Sequence, residues 1–171
     1  MFVAIGVLGS QIIYIPVGAS KCFPVQHTIN IISAISLGPV YSVGIAFSIS
    51  LLRNVLGTGS LLAFPGSMVG ALIAGLLFRI TSKKEMAILG EVFGTGILGG
   101  IMAFPIAKFI LGKDVAALFY VVPFLISTIG GSGIAYAMLK VLDLGKISKK
   151  ISQKWNTGLI LINKSGGYGI N

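Results

Sequence analysis

The feature that most constrains this chain is its scarcity of charge. It has thirteen Lys or Arg and four Asp or Glu in 171 residues, so 10% of the sequence is charged and 55% is hydrophobic. A soluble domain carries about 25% charged residues. A chain with so few polar groups cannot cover a water-facing surface. Mean hydropathy is +0.98, which also excludes disorder, because disorder requires low hydrophobicity. Glycine is abundant, at 24 residues, but has no three-residue period, which excludes collagen. An integral membrane protein remains. A transmembrane helix needs about 20 residues, so six such spans fit and twelve do not.

Six apolar runs are legible. They cover 2–15, 25 to the Gly38-Pro39 break, 40–52, 66–80, 86–111 and 115–142. The spacing predicts an all-α bundle of six transmembrane helices over 1–142, followed by a basic cytoplasmic tail over 143–171. The first run rises only about 21 Å, against a hydrocarbon core of about 30 Å. Either this helix is short or the start omits a few upstream residues, and the second is the expectation. Gly6 and Ser10 on it form a small-xxx-small pair that permits close helix approach. Pro16 to Pro24 reads as a loop, Leu61 to Pro65 as a loop or re-entrant piece, and Thr81 to Glu85 as a charged loop. Gly66, Gly70 and Ala74, and again Ser127, Gly131 and Ala135, recur at a spacing of four and read as packing stripes.

The net charge of +9 needs no nucleic-acid partner, because inward-facing membrane loops are rich in Lys and Arg. In the tail, Lys146, Lys149, Lys150 and Lys154 surround Ile147, Ile151 and Trp155 at helical spacing, the pattern of a basic helix on a membrane surface. With six spans, nine cations fall on the side of the termini: Arg79, Lys83, Lys84, Lys140, Lys146, Lys149, Lys150, Lys154 and Lys164. Lys21, Arg53, Lys108 and Lys113 fall on the other. The excess of positive charge places both termini in the cytoplasm of a multi-pass cell-membrane protein.

Composition also bounds the chemistry. One Cys (Cys22), one His (His27) and four scattered acids (Glu85, Glu91, Asp114, Asp143) supply no internal disulfide, no zinc ligand set and no paired carboxylates. Neither a phosphate-binding G-x-x-x-x-G-K-[ST] loop nor a G-x-S-x-G elbow is present. No catalytic residue, metal or cofactor is expected. If ATP drives this protein's work, another subunit must hydrolyse it. Cys22 reads as a bystander, because no acid lies close in sequence to orient His27 beside it.

Polar groups gather on the outer side in two stretches. The first runs from Ser20 to Asn30, where Gln26, Asn30 and Ser33 share a helix face and His27 sits one position round. The second is Arg53-Asn54 with Thr58 and Ser60. Such groups in or near lipid are costly and usually functional. The functional reading is a pocket for a small polar or heteroaromatic molecule, with Phe23, Phe64 and Tyr120 enclosing a ring. The alternative is that these side chains cap helix ends and that Arg53 snorkels to the headgroups. Glu91 reads as a helix-packing or coupling residue outside the pocket. A self-sufficient secondary transporter and an integral membrane enzyme are the competing functions.

Three stretches carry a resemblance: IPVGASKCFPVQH over 15–27, SLLRNVLGTGSLLAFPGS over 50–67 and GEVFGTG over 90–96. They closely resemble the signature of the ThiW family, the predicted thiazole-specific S component of energy-coupling factor transporters. The match runs from about residue 2 to 142, and the N-terminus looks clipped relative to family members. The resemblance implies a six-helix bundle that binds hydroxyethylthiazole, a thiamine precursor, from outside. It implies as partners a transmembrane T component and two ATP-binding-cassette ATPases. S components dock through small residues on the first helix, which makes Ala4, Gly6, Gly9 and Ser10 docking candidates. The polar-cluster argument supplies the substrate-binding candidates: Gln26, His27, Asn30, Arg53, Asn54, Thr58 and Tyr120.

Overall fold

The structure, a computed structural model, describes residues 1–17 and 20–142. The predicted tail helix around Lys146 to Trp155 lies outside the described residues. Within them the order is α1 (Phe2–Ile12), β1 (Ile15–Val17), β2 (Ser20–Cys22), α2 (Pro24–Leu37), α3 (Pro39–Val55), α4 (Ala63–Thr81), α5 (Lys84–Ile110) and α6 (Val121–Leu142). Each predicted apolar run yields a helix. Three of them, α4, α5 and α6, are long and apolar enough to cross a membrane. The other three have 11, 14 and 17 residues.

The boundaries follow from local chemistry. Pro24 and Pro39 each open a helix, where the missing amide proton costs nothing and φ is already helical. Gly38 joins α2 to α3 at φ 85, a left-handed value that disfavours other residues. Several expected boundaries move. The loop from Pro16 to Pro24 is an antiparallel hairpin, with Ile15 opposite Cys22 and Val17 opposite Ser20. Arg53 and Asn54 continue α3 for its last turn instead of breaking it. Pro65 does not end a loop but sits in the first turn of α4, where a proline is tolerated. The charged loop shrinks to Ser82 and Lys83. The last helix starts at Val121 rather than Val115, because 111–120 forms an irregular segment. Pro105 does not break α5. The helix widens into π-helical turns at Val92–Gly99 and Ile106–Ile110.

Polarity is partly inverted relative to a soluble protein. Large apolar side chains such as Leu76, Ile80, Phe93, Phe109 and Ile129 point outward, whereas Gln26, Asn30, Ser50, Arg53, Glu91 and Thr95 are buried. This is the arrangement lipid favours, because an outward polar group would lose water without gaining a partner. α2 is the central helix, with 11 of its 14 residues buried. An apolar cluster of Ile31, Ile35, Phe78 and Leu139 closes one end of the bundle, and a second, around Leu62, Ala103, Ala107 and Tyr120, walls the other. The polar layer lies along α2 between them. α4 and α5 meet backbone to backbone: a Cβ on Gly94 would stand 2.7 Å from the Gly70 Cα, and one on Gly90 2.9 Å from the Ala74 Cα. The α4 stripe therefore packs helices, as expected.

The small residues of α1 do something other than expected. Gly6 and Ser10 are buried in the chain's own bundle. A side chain on Gly6 would run into Ile49 of α3, and one on Gly9 into Val25 of α2. The Ser10 hydroxyl donates to the Gly6 carbonyl oxygen at 2.6 Å. The close approach that these residues permit is thus used internally, and of the four docking candidates only Ala4 is exposed.

Candidate ligand-binding site

The hairpin, the 56–62 turn and the 111–120 segment meet at one end of the bundle. Beneath them lies a cavity of about 460 Å³, lined by residues of all three connections and of five helices. The first, third and fifth connections therefore share one end. Buried polar lining comes from Gln26 and His27 of α2, Arg53 of α3, Ser67 of α4, Thr95 of α5 and Ser127 of α6. The apolar lining includes Phe23, Leu62, Phe119, Tyr120 and Phe124. Tyr120 meets Phe119 edge to face at 5.2 Å between centroids, and Phe124 at 6.4 Å.

Two hydrogen-bond networks hold the polar lining. In the first, Gln26 Nε2 donates to Ser50 Oγ at 2.9 Å, and the Ser50 and Ser67 hydroxyls lie 3.1 Å apart. Gln26 Oε1 accepts from Arg53 Nη1. Arg53 Nη2 donates to the Thr58 carbonyl oxygen at 3.2 Å, and the guanidinium lies over the Phe23 ring at 3.6 Å. Although Arg53 was a candidate for snorkelling, it is 1% exposed. Its place in the last turn of α3 suits a cation, because the carbonyl end of a helix carries partial negative charge.

The second network centres on Glu91, which is fully buried. His27 Nδ1 lies 2.9 Å from Glu91 Oε1. Asn30 Nδ2 donates to the same oxygen at 3.0 Å and to the Ser67 carbonyl at 3.2 Å. The Thr95 hydroxyl lies 3.0 Å from both Glu91 Oε1 and the Gly66 carbonyl. The Glu91 oxygen that takes the Asn30 amide is an acceptor, so the contact holds the His27 proton on Nδ1 and leaves Nε2 as the ring's acceptor. Glu91 thus supplies what no neighbour of His27 in sequence provides, an acid that orients the imidazole. It lies behind the ring and does not line the cavity.

The structure brings five of the seven substrate-binding candidates, Gln26, His27, Arg53, Thr58 and Tyr120, around one space. The other two serve it from outside. Asn30 is wholly buried behind Glu91. Asn54 ties α3 to the following turn through Nδ2, at 2.8 Å from the Ser50 carbonyl and 3.2 Å from that of Ser60. Phe64, expected to enclose a ring, pairs with Phe47 at 5.6 Å instead and does not line the cavity. Sequence reasoning missed Ser67, Thr95, Lys113, Phe119, Phe124 and Ser127 as lining. Ser67 and Thr95 had a signal, because both fall in the motifs that carry the family resemblance. Cys22 is buried, with Sγ 3.1 Å from the Pro123 carbonyl. Burial pushes its thiol up, and a hydrogen bond to the Ser127 backbone partly opposes this.

The arrangement can enclose a small ring against aromatic walls, offer it the His27 imidazole, and bond polar substituents through Arg53, Ser67, Thr95 and Ser127. No curated protein and no solved structure matches the chain. A family model described as thiamine-precursor transporter protein (ThiW) matches residues 1–144, and the chain belongs to that family.

Proposed function

We propose that this chain is the substrate-binding membrane subunit, the S component, of an energy-coupling factor transporter, and that its ligand is hydroxyethylthiazole, the thiazole precursor of thiamine. The observation that carries the reading is the cavity. It combines one imidazole, one guanidinium and an aromatic wall at the end of the bundle where α6 begins. Its volume, about 460 Å³, falls within the range of roughly 300–1,000 Å³ common to small-molecule sites. The sequence has no phosphate-binding loop motif, so an ATP-driven step falls to partner ATPases and a transmembrane T component.

In this reading all six helices cross the bilayer. α1, α2 and α3 are shorter than about 20 residues, but α2 is shielded by its neighbours along most of its length. Both termini are cytoplasmic. The described cations divide evenly, with Arg79, Lys83, Lys84 and Lys140 at one end and Lys21, Arg53, Lys108 and Lys113 at the other. The five tail lysines therefore decide the orientation. Docking of the partners remains with α1, but through the exposed side that bears Ala4, Ile5 and Leu8, since Gly6 and Ser10 are occupied within the bundle.

One observation favours a second reading, a self-sufficient secondary transporter. Glu91 forms a buried pair with His27 of the cavity wall, the kind of intramembrane pair that couples transport to an ion. Uptake of labelled hydroxyethylthiazole separates the two. The S-component reading expects uptake only in cells that also express the T component and ATPases. Uptake without them, abolished by collapsing the proton gradient, would replace it with the second reading.

A further inference from the structure

The charge of the cavity narrows the ligand. Three cationic side chains line it, Lys21, Arg53 and Lys113, and no acidic one does. The acids among the described residues lie elsewhere. Glu91 is behind His27 and already accepts from His27, Asn30 and Thr95. Asp114 is exposed in the 111–120 segment and is not part of the lining. Glu85 stands in the first turn of α5, beyond the opposite end of the bundle.

Arg53 makes the imbalance acute. Its side chain is buried, yet only neutral groups hold it: the Gln26 amide oxygen, the Thr58 carbonyl and the face of Phe23. Its Nε is buried with no hydrogen-bond partner. The end of α3 adds at most about half a negative charge. A buried cation is ordinarily matched by a full counter-charge, and no ion pair to Arg53 exists among the described residues. Lys21 and Lys113 are exposed where the cavity opens and add charge of the same sign. A guanidinium fork is suited to the two oxygens of a phosphate or carboxylate.

We infer that the cavity takes a small heteroaromatic ring bearing an oxyanion, a phosphate monoester or a carboxylate, with the oxyanion seated on Arg53 and screened at the mouth by Lys21 and Lys113. This rests on the thiazole reading for the ring and adds the charge of its substituent. The ring then lies between His27 and the aromatic wall, and the substituent extends toward α3 and the 56–62 turn.

The test is equilibrium binding to the purified full chain in detergent, with four probes: hydroxyethylthiazole, its phosphate ester, a thiazole carrying a carboxymethyl group, and inorganic phosphate. The expected result is that one or both anionic thiazoles bind at least about tenfold tighter than the neutral alcohol, a difference one charge-assisted hydrogen bond supplies. Which of the two binds tighter identifies the oxyanion. In Arg53→Gln the ratio of anionic to neutral affinity falls to about one. Because Arg53 also braces Gln26, Lys113→Gln provides a second variant at an exposed position, and it should reduce the same ratio severalfold. If the neutral alcohol binds at least as tightly as both anions, the inference is overturned and the thiazole reading stands. An anionic preference that survives in both variants also overturns it, because the oxyanion would then sit elsewhere. If inorganic phosphate matches the anionic thiazoles and depends on Arg53, the oxyanion site holds and the thiazole reading falls. Binding by none of the four removes both.

Discussion

His27 is the only imidazole in the chain, and its value to the cavity depends on a partner 64 positions away. Glu91 holds Nδ1 of a ring that lines the cavity, so substitutions at both residues should reach the site. His27→Ala is expected to weaken thiazole binding by at least about tenfold, because losing a partner for a buried polar group costs about 1–3 kcal/mol. Glu91→Gln keeps the shape, and its amide oxygen must stay toward Asn30 Nδ2, which only donates, so it still accepts from Nδ1 but as a weaker, neutral acceptor. A smaller loss than in His27→Ala is expected in binding titrations, and wild-type affinity in Glu91→Gln would show that the pair is structural only. Cys22 yields a prediction about reactivity. Its raised pKa, caused first by burial, leaves less thiolate at neutral pH, and the thiolate is the reactive form. Maleimide labelling of the folded protein should be slower than that of the denatured protein and should speed up as pH rises. Equal rates would mean the thiol is open to water. At this scale the sequence showed which residues were unusual but not how they pair. Gln26, His27 and Arg53 stood out as polar groups among apolar neighbours. The role of Glu91 did not, because the contact that defines it crosses from α2 to α5.

Glycine sets how closely the helices pack. On α4, a Cβ at Gly70 would run into Thr95 Oγ1 and approach Glu91 Oε2 to 2.7 Å. Gly70→Ala should therefore lower the melting temperature in detergent and weaken ligand binding together, since the atoms displaced are those that orient His27. Gly44 on α3 faces open space, where an added methyl would meet nothing within 4 Å. Gly44→Ala should accordingly be neutral or stabilising by up to about 1 kcal/mol. Equal effects of the two would contradict the α4–α5 packing. Gly6→Leu is expected to destabilise the bundle by about 1–3 kcal/mol, the usual cost of overpacking, because it collides with Ile49. Loss of uptake with full stability and ligand binding would instead place Gly6 at a partner interface. The helices themselves were legible because apolar runs, prolines and Gly38 mark them. Their ends were less so. Arg53 and Asn54 looked like a polar break, but their side chains find partners inside the fold, so α3 keeps its last turn. The hairpin is not legible in the sequence, because its strands are three residues each, too short for an alternating pattern. The start of α6 is hidden in the sequence, because 115–120 is as apolar as a helix although Val115, Phe119 and Tyr120 serve as cavity wall.

The whole molecule is a helical membrane protein with a polar layer enclosed by apolar surfaces and a cavity at one end. Its proposed orientation can be mapped with single cysteines in a Cys22→Ser background. Lys113→Cys, at the cavity mouth, should react with a membrane-impermeant maleimide in intact cells, and Glu85→Cys, at the opposite end, only after lysis. The reverse pattern would turn the cavity to the cytoplasm and end the uptake reading. The central claim, that this cavity binds the thiazole precursor of thiamine, is tested most directly by calorimetric titration of the purified chain. Thiazole compounds, neutral and anionic, are compared with the pyrimidine precursor, in wild type and in His27→Ala. The account predicts saturable one-to-one binding of a thiazole, weakened at least about tenfold in His27→Ala, and little binding of the pyrimidine. Tighter binding of the pyrimidine, or thiazole binding indifferent to His27, would contradict it.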